Sequence, residues 1–316
     1  MSWLITGGAG FIGRNLILRL CRDGNEVTSI DRRDDFGLAG AAISEAGPFV
    51  VEEDINQIAR LDDYLEDVDV VVHLAAVSGI AACSADLVQA YQDNVMALTR
   101  MIDACVRVGT VKRFIYASSG AVLAGGNFGA VEKPIESSAL APVSMYGASK
   151  AAGEHLCRTA WLEKGLKTTA LRFSNVYGPY SEEKSSVVHA FIKQGMAGDR
   201  LKIHGDGTQQ RDFICVDDLV DAIIKLASCA TDEVDGKALH ISSGESHTIM
   251  AIAEEIASYY PHVGVVCEEA KDPGVSKSVL GNDFTKSVLD WHPQTSLSDG
   301  IGKVVKWFEE GDDALS

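Results

Sequence analysis

Short apolar runs recur along this chain, and most lead into a stretch where apolar residues return every three to four positions. The first run, Trp3, Leu4 and Ile5, reads as a buried parallel strand. Ile12, Leu16, Ile17 and Leu20 then fall on one side of a helix. Further runs predict strands over 26–30, 49–51, 68–74 and 111–118, and helices over 58–65, 87–108 and 144–163. In 87–108 the spacing nominates Val88, Tyr91, Val95, Leu98, Ile102 and Cys105 for the buried face. The second half predicts helices over 187–197, 217–227, 248–259 and 301–308, with a strand over 238–241. Strands alternating with helices imply an α/β fold built on a doubly wound parallel sheet. The acidic tail, 309–313, reads as frayed and solvated.

The turn after the first strand carries Gly7, Gly10 and Gly13. Gly7 suits a tight turn, Gly10 lets a pyrophosphate approach the backbone, and Gly13 lets the helix pack close to the sheet. The N–H groups of the first helical turn, at Phe11 and Ile12, would face the phosphates. Asp31 closes the second strand, where a carboxylate accepts hydrogen bonds from the adenosine ribose and repels a 2′-phosphate. The combination points to NAD. Arg32 and Arg33 follow directly, either as a solvated loop or as partners for the 2′-phosphate of NADP. Asp54, with Ile55 beside it, reads equally as an adenine contact or a helix cap. Leu74, Ala75 and Ala76 end the fourth strand with residues small enough for a cofactor to lie on the backbone. His73 reads as a packed strand residue before a catalytic one, and Asn94 as a polar tie from its helix to the sheet or the cofactor.

The chemistry is read from Tyr146 and Lys150, four residues apart and so on one helical face. A phenol is a poor base at neutral pH unless a nearby positive charge favours the phenolate. With an ammonium and an oxidised nicotinamide alongside, Tyr146 can exchange a proton with a substrate hydroxyl while hydride moves. Ser118 and Ser119 end the preceding strand, where Ser119 can hold that hydroxyl, and a long loop to Pro142 follows.

Bulk properties narrow the field. A formal net charge of −17 argues against nucleic acid or an acidic membrane surface as partner. Seven cysteines with no C-x-x-C imply reduced thiols, a cytoplasmic setting and no zinc site. No apolar run approaches the ~20 residues of a membrane span, and a strand starting at residue 2 leaves no room for a signal peptide.

Several stretches together resemble the extended short-chain dehydrogenase/reductase family in its nucleotide-sugar epimerase/dehydratase branch. They are T-G-G-A-G-F-I-G at 6–13, H-L-A-A at 73–76, S-S at 118–119, Y-G-A-S-K at 146–150, L-R-F-S-N-V-Y-G-P at 171–179 and G-D-G-T-Q-Q-R-D-F at 205–213. The resemblance implies a Rossmann NAD-binding domain over 1–174 and a smaller C-terminal α/β substrate lobe over 175–316, with some chain crossing back. It adds Phe173 to the cofactor contacts. It implies that Asn175 and Arg211 hold a nucleotide-sugar diphosphate, Arg211 having a salt bridge with Asp212 or Asp206 as its alternative. Ser186 and Val187 would line the nucleotide base, with His204 nearby. It also implies a homodimer packed through the helices over 87–108 and 144–163.

This chain departs from the branch at three places, one of them 121–124, where epimerases often carry Thr-Val-Tyr-Gly and this chain has Ala121, Val122, Leu123 and Ala124. Dehydratases carry an Asp-Glu pair just past the serines, and decarboxylating relatives keep the glutamate; here Gly120 and Ala121 stand there. Near the C-terminus an arginine and an aspartate often flank Pro-Gly; here Lys271, Asp272, Pro273, Gly274 and Val275 occupy the stretch, with Lys271 as the replacement phosphate contact. The expectation is an NAD-dependent 4-epimerase of a UDP-sugar. A keto-sugar reductase or dehydrogenase of the same fold, and a non-catalytic NAD-binding regulator, are the alternatives.

Overall fold

The structure is a computed structural model that describes residues 1–33, 47–125, 133–269 and 276–311. Seven parallel strands form the central sheet: β1 Ser2–Thr6, β2 Glu26–Asp31, β3 Phe49–Glu52, β4 Val70–His73, β5 Arg113–Ser119, β6 Thr168–Phe173 and β7 Lys237–Ile241. Their spatial order is β7-β6-β5-β4-β1-β2-β3. The order reverses between β1 and β4, which leaves a crevice at the carboxyl ends of the strands.

Side-chain alternation sends successive residues of each strand to opposite faces. Trp3 and Ile5 join the core beneath helices α1, Phe11–Arg22, and a later helix, Val216–Ala227. Leu4 joins the opposite core, under α2, Ala97–Val108, and α3, Met145–Lys164. Both faces are therefore covered, and this is why β1 and β4 read as continuous apolar runs. A separate hydrophobic core forms where Phe191, Ile192, Ile203, Phe213, Ile252 and Val304 meet. Its principal helices are Val187–Met196, Ile249–Tyr259 and Leu297–Glu310. The chain returns to the central sheet through Val216–Ala227, which packs on its core, and through β7, which pairs with β6.

Three sequence expectations are corrected. The helix expected over 58–65 is only a 3-10 turn, Leu61–Tyr64; Asp54 instead organises a local turn, its side chain accepting from the Asn56 N–H at 2.8 Å. The helix expected over 87–108 is interrupted. Leu87–Tyr91 is α-helical, Gln92–Met96 is a π-helical turn, and α2 follows. The wider turn shifts the helical phase, so Asp93 and Asn94 are buried while Val88, expected inside, is 70% exposed. The helix expected from 144 begins at Met145, because Ser144 is its N-cap and accepts from the Gly147 N–H at 3.0 Å. Of the acidic tail, Glu309 and Glu310 are helical, and 312–316 lie outside the described residues.

Close packing of α3 on β5 sets the site. A Cβ at Gly153 would lie 2.2 Å from the Tyr116 hydroxyl oxygen, so glycine permits the approach that brings Tyr146 and Lys150 to the end of β5.

Three histidines are buried with lowered pKa values. His73 is pushed down to about 3, and His189 and His240 to about 4, desolvation being the largest cause in each. A folded-state pKa below the unfolded value of ~6.5 means that the unfolded chain binds more protons in the interval between them. Their contribution to stability is therefore present above about pH 6.5 and falls as pH drops toward 4, by up to ~1.4 kcal/mol per pH unit per histidine. Urea unfolding between about pH 7.5 and 5 should show the midpoint falling with acidification. A midpoint that does not move would contradict the burial of these rings in the neutral form.

Candidate active site

The phosphate-binding turn is tight in a measurable way. Gly7 has φ +75°, and a Cβ there would lie 2.7 Å from the Ala75 nitrogen. A Cβ at Gly13 would lie 2.4 Å from the Gly7 carbonyl oxygen. Gly13 is thus needed for the turn to fold onto itself, rather than for packing on the sheet as the sequence suggested. Gly10 caps α1 with no side-chain hydrogen bond, and the first turn holds no acid. The N–H groups at Phe11 and Ile12 therefore remain available to an anion, and a pyrophosphate fits here.

From this turn a cleft of about 490 Å³ runs along the carboxyl edge of the sheet. Ile55, Leu74, Ala75, Ala76 and Phe173 line it. At the β2–β3 end lie Asp31, Arg32 and Asp54. Asp31 accepts from the backbone N–H of Ala9 at 3.0 Å and of Arg33 at 3.1 Å, so it holds the turn while facing the cleft. The two arginines are not loosely solvated. Arg32 donates to Asp93 at 3.0 Å and to Asp54 at 2.9 Å. Arg33 donates to the Ala9 carbonyl and to Glu183, both at 2.7 Å.

At the β5 end Tyr146, Lys150, Ser118 and Ser119 face the same cleft. Lys150 is buried and donates to the Ala117 carbonyl at 2.8 Å, with its ammonium 5.1 Å from the Tyr116 ring centre and 6.0 Å from that of Tyr146. Burial pushes Lys150 down to about 8. Burial also raises the Tyr146 phenol above its ordinary value, opposed by a hydrogen bond with Ser119. Behind them Ser118 donates to Glu154 at 2.5 Å, and Arg172 grips both oxygens of Glu154 at 2.9 and 2.8 Å. Glu154 lies four residues past Lys150 on α3, so one helical face carries the phenol, the ammonium and the carboxylate that anchors β5 and β6.

Asn94 does not line the cleft. It accepts from the Val77 N–H at 2.7 Å and donates to the Val77 carbonyl at 3.1 Å and to Ser149 Oγ at 3.0 Å, fixing the loop after β4 against α3. Asn175 and Ser186 reach the cleft. Val187 begins its helix just behind Ser186. His204 is exposed at the end of Leu201–His204. Arg211 sits in a small three-stranded sheet and is not among the residues lining the cleft. Neither acid proposed as its alternative partner holds it. Asp212 accepts from Ser243 N–H at 2.9 Å and Ser243 Oγ at 2.8 Å, and Asp206 accepts from Thr208 N–H at 2.9 Å. Lys271 lies outside the described residues. Residues that sequence reasoning missed include Asp93, Ser174 and Lys184, all in the cleft wall. Lys184, 5.9 Å from the Phe11 ring centre, adds a half-buried cation beside the phosphate turn. Among the described residues no group of acids, histidines and cysteines could hold a metal ion, and no helix is long and apolar enough to cross a membrane.

Comparison with known proteins agrees with this geometry. The model of the NAD dependent epimerase/dehydratase family matches residues 3–242. UDP-glucose 4-epimerase of Mycolicibacterium smegmatis is 31% identical over 98% of both chains. The structure of UDP-glucose 4-epimerase from Thermotoga maritima with UDP-glucose superposes with a TM-score of 0.87 at 27% identity, over 100% of both chains. UDP-glucuronic acid 4-epimerase from Bacillus cereus, bound to UDP-glucuronic acid and NAD, gives 0.86 at 27% identity, also over 100% of both. Other relatives are named as a decarboxylase and a dehydratase. With that family model spanning most of the sequence and a relative 31% identical over nearly its whole length, the chain belongs to the NAD-dependent epimerase/dehydratase family.

Proposed function

We propose that this protein is a 4-epimerase of a nucleotide-activated hexose, with a UDP-sugar as substrate. The observation that carries the reading is the meeting of Tyr146, Ser119 and Lys150 at one end of the cleft whose middle is the phosphate turn. Bound NAD supplies the hydride acceptor and donor. Tyr146 removes the proton of the C4 hydroxyl, and Ser119 positions that hydroxyl. Burial raises the Tyr146 pKa, so the phenolate requires nearby positive charge, and Lys150 is the cation that the chain itself provides. The resulting 4-keto sugar turns within the site, and Tyr146 returns the proton as the carbonyl is reduced on its other face.

The distribution of carboxylates favours this reaction over elimination or decarboxylation. Among the described residues, the acids lining the cleft are Asp31, Glu53, Asp54 and Asp93, all toward β2 and β3. At the chemical end Gly120 faces Leu280, where an added Cβ would be 3.5 Å from the Leu280 side chain, and Ala121 follows. Among the described residues, no carboxyl group of the cleft lining stands there to protonate a leaving hydroxyl. Residues from 175 onward supply most of the substrate lobe, with Asn175 and Ser186 beside the cleft and Arg211, Val187 and His204 beyond it for diphosphate and base, and with Lys271, outside the described residues, as the further phosphate contact. Leu87, Val88 and Leu162 are 42%, 70% and 66% exposed on the helices expected to pair, which supports a homodimer. Seven unpaired cysteines, five of them buried, suit a reducing cytoplasm.

Incubation with UDP-glucose, UDP-N-acetylglucosamine and UDP-glucuronate, without added cofactor, should yield the C4 epimer of at least one, resolved chromatographically. Turnover seen only with reduced cofactor and a keto-sugar would replace the epimerase with a reductase. Replacing Tyr146 with Phe should lower kcat by about 10²–10⁴-fold, the usual range for a lost proton-transfer group, while bound cofactor and melting temperature stay near wild type. A variant that keeps wild-type kcat would remove Tyr146 from the proton path.

A further inference from the structure

The adenosine end of the cleft contains more acid than the NAD reading requires. Asp31 alone disfavours a 2′-phosphate. Yet Asp54 and Asp93 converge on Arg32, the guanidinium next to Asp31 in sequence. Arg32 Nη1 donates to Asp93 Oδ2 at 3.0 Å, Nη2 donates to Asp54 Oδ2 at 2.9 Å, and Nη2 also contacts Asp93 Oδ1. Asp93 is 7% exposed, and Gln89 donates to it at 2.9 Å. It faces inward because the π-helical turn Gln92–Met96 rotates it there. The remaining arginine is occupied as well, since Arg33 bridges the Ala9 carbonyl and Glu183.

A 2′-phosphate is bound by guanidinium groups with open donors. Here both terminal nitrogens of each candidate guanidinium are engaged by this chain's own oxygens. We propose that Asp93 is a cofactor-specificity residue: by gripping Arg32 in a bidentate pair it denies that arginine to a 2′-phosphate and enforces NAD over NADP. Asp54 assists from the more exposed side, 27% exposed at its side chain. The inference rests on the nicotinamide cofactor of the family and not on the identity of the sugar.

The test equilibrates the full-length protein with equal excesses of NAD⁺ and NADP⁺, removes free nucleotide, and quantifies what remains bound by mass spectrometry. Wild type should retain NAD⁺. Asp31→Ser should shift the ratio toward NADP⁺ only modestly, because Arg32 stays paired. Asp31→Ser with Asp93→Asn should shift it at least about tenfold further, the effect of one charge-assisted hydrogen bond of ~1.5–3 kcal/mol. Adding Arg32→Ala to that double variant should abolish the gain, which a general loss of negative charge would not predict. Asp54→Asn in the Asp31→Ser background, away from the buried position, should give a smaller shift of the same sign and provides the readout if Asp93→Asn lowers the yield of folded protein. The proposal is overturned if neither acid substitution moves the ratio beyond Asp31→Ser, or if the gain survives loss of Arg32.

Discussion

The site depends on keeping one ammonium where water does not reach. Lys150 is buried on α3 beneath Tyr146, and its compensation comes from the Ala117 carbonyl and the face of Tyr116. Burying a cation is unfavourable unless such partners are fixed in place. Glycine at position 153 lets the helix approach β5 closely enough for those partners to be reached. The buried Glu154–Arg172 pair then ties the same helix to β5 and β6. Such a pair is weak evidence for stability but strong evidence for position, since losing one partner strands a buried charge. Tyr146 and Ser119 are placed by this same clamp.

Charge is graded along the cleft. The acids face the adenosine end, where Arg32 and Arg33 balance them, and the middle presents bare N–H groups at α1 with Lys184 nearby. Among the described residues, the chemical end of the cleft lining holds hydroxyls and the buried Lys150 without a carboxylate. This gradient suits a dianionic cofactor bridge in the middle and a sugar whose hydroxyl, rather than an acid-catalysed leaving group, is the reacting function.

Much of this was legible in the sequence because it rests on local rules. The strand–glycine–helix order, the continuous apolar run of β1 and the four-residue spacing of Tyr146 and Lys150 need no tertiary information. What escaped reading depends on long-range or non-standard geometry. A π-helical turn has no sequence signature, so Val88 was placed inside and Asp93 was missed. The grip of Glu154 and Arg172 joins residues 18 apart through a sheet crossing, which periodicity cannot reveal. Lys184 lies in an irregular connection, where no period exists to read. The pairing of Arg32 and Arg33 with Asp93, Asp54 and Glu183 likewise appears only after the chain folds.

The central claim is that hydride leaves C4 of a sugar and returns to it within one site. UDP-glucose carrying deuterium at C4, turned over in ordinary water, tests this directly, with product isotope content read by mass spectrometry and NMR. The account predicts a C4 epimer that keeps its deuterium at C4, because the label moves to the bound cofactor and back without meeting solvent. Epimerised product that has lost its deuterium to water would mean proton abstraction at carbon instead, and would contradict the account.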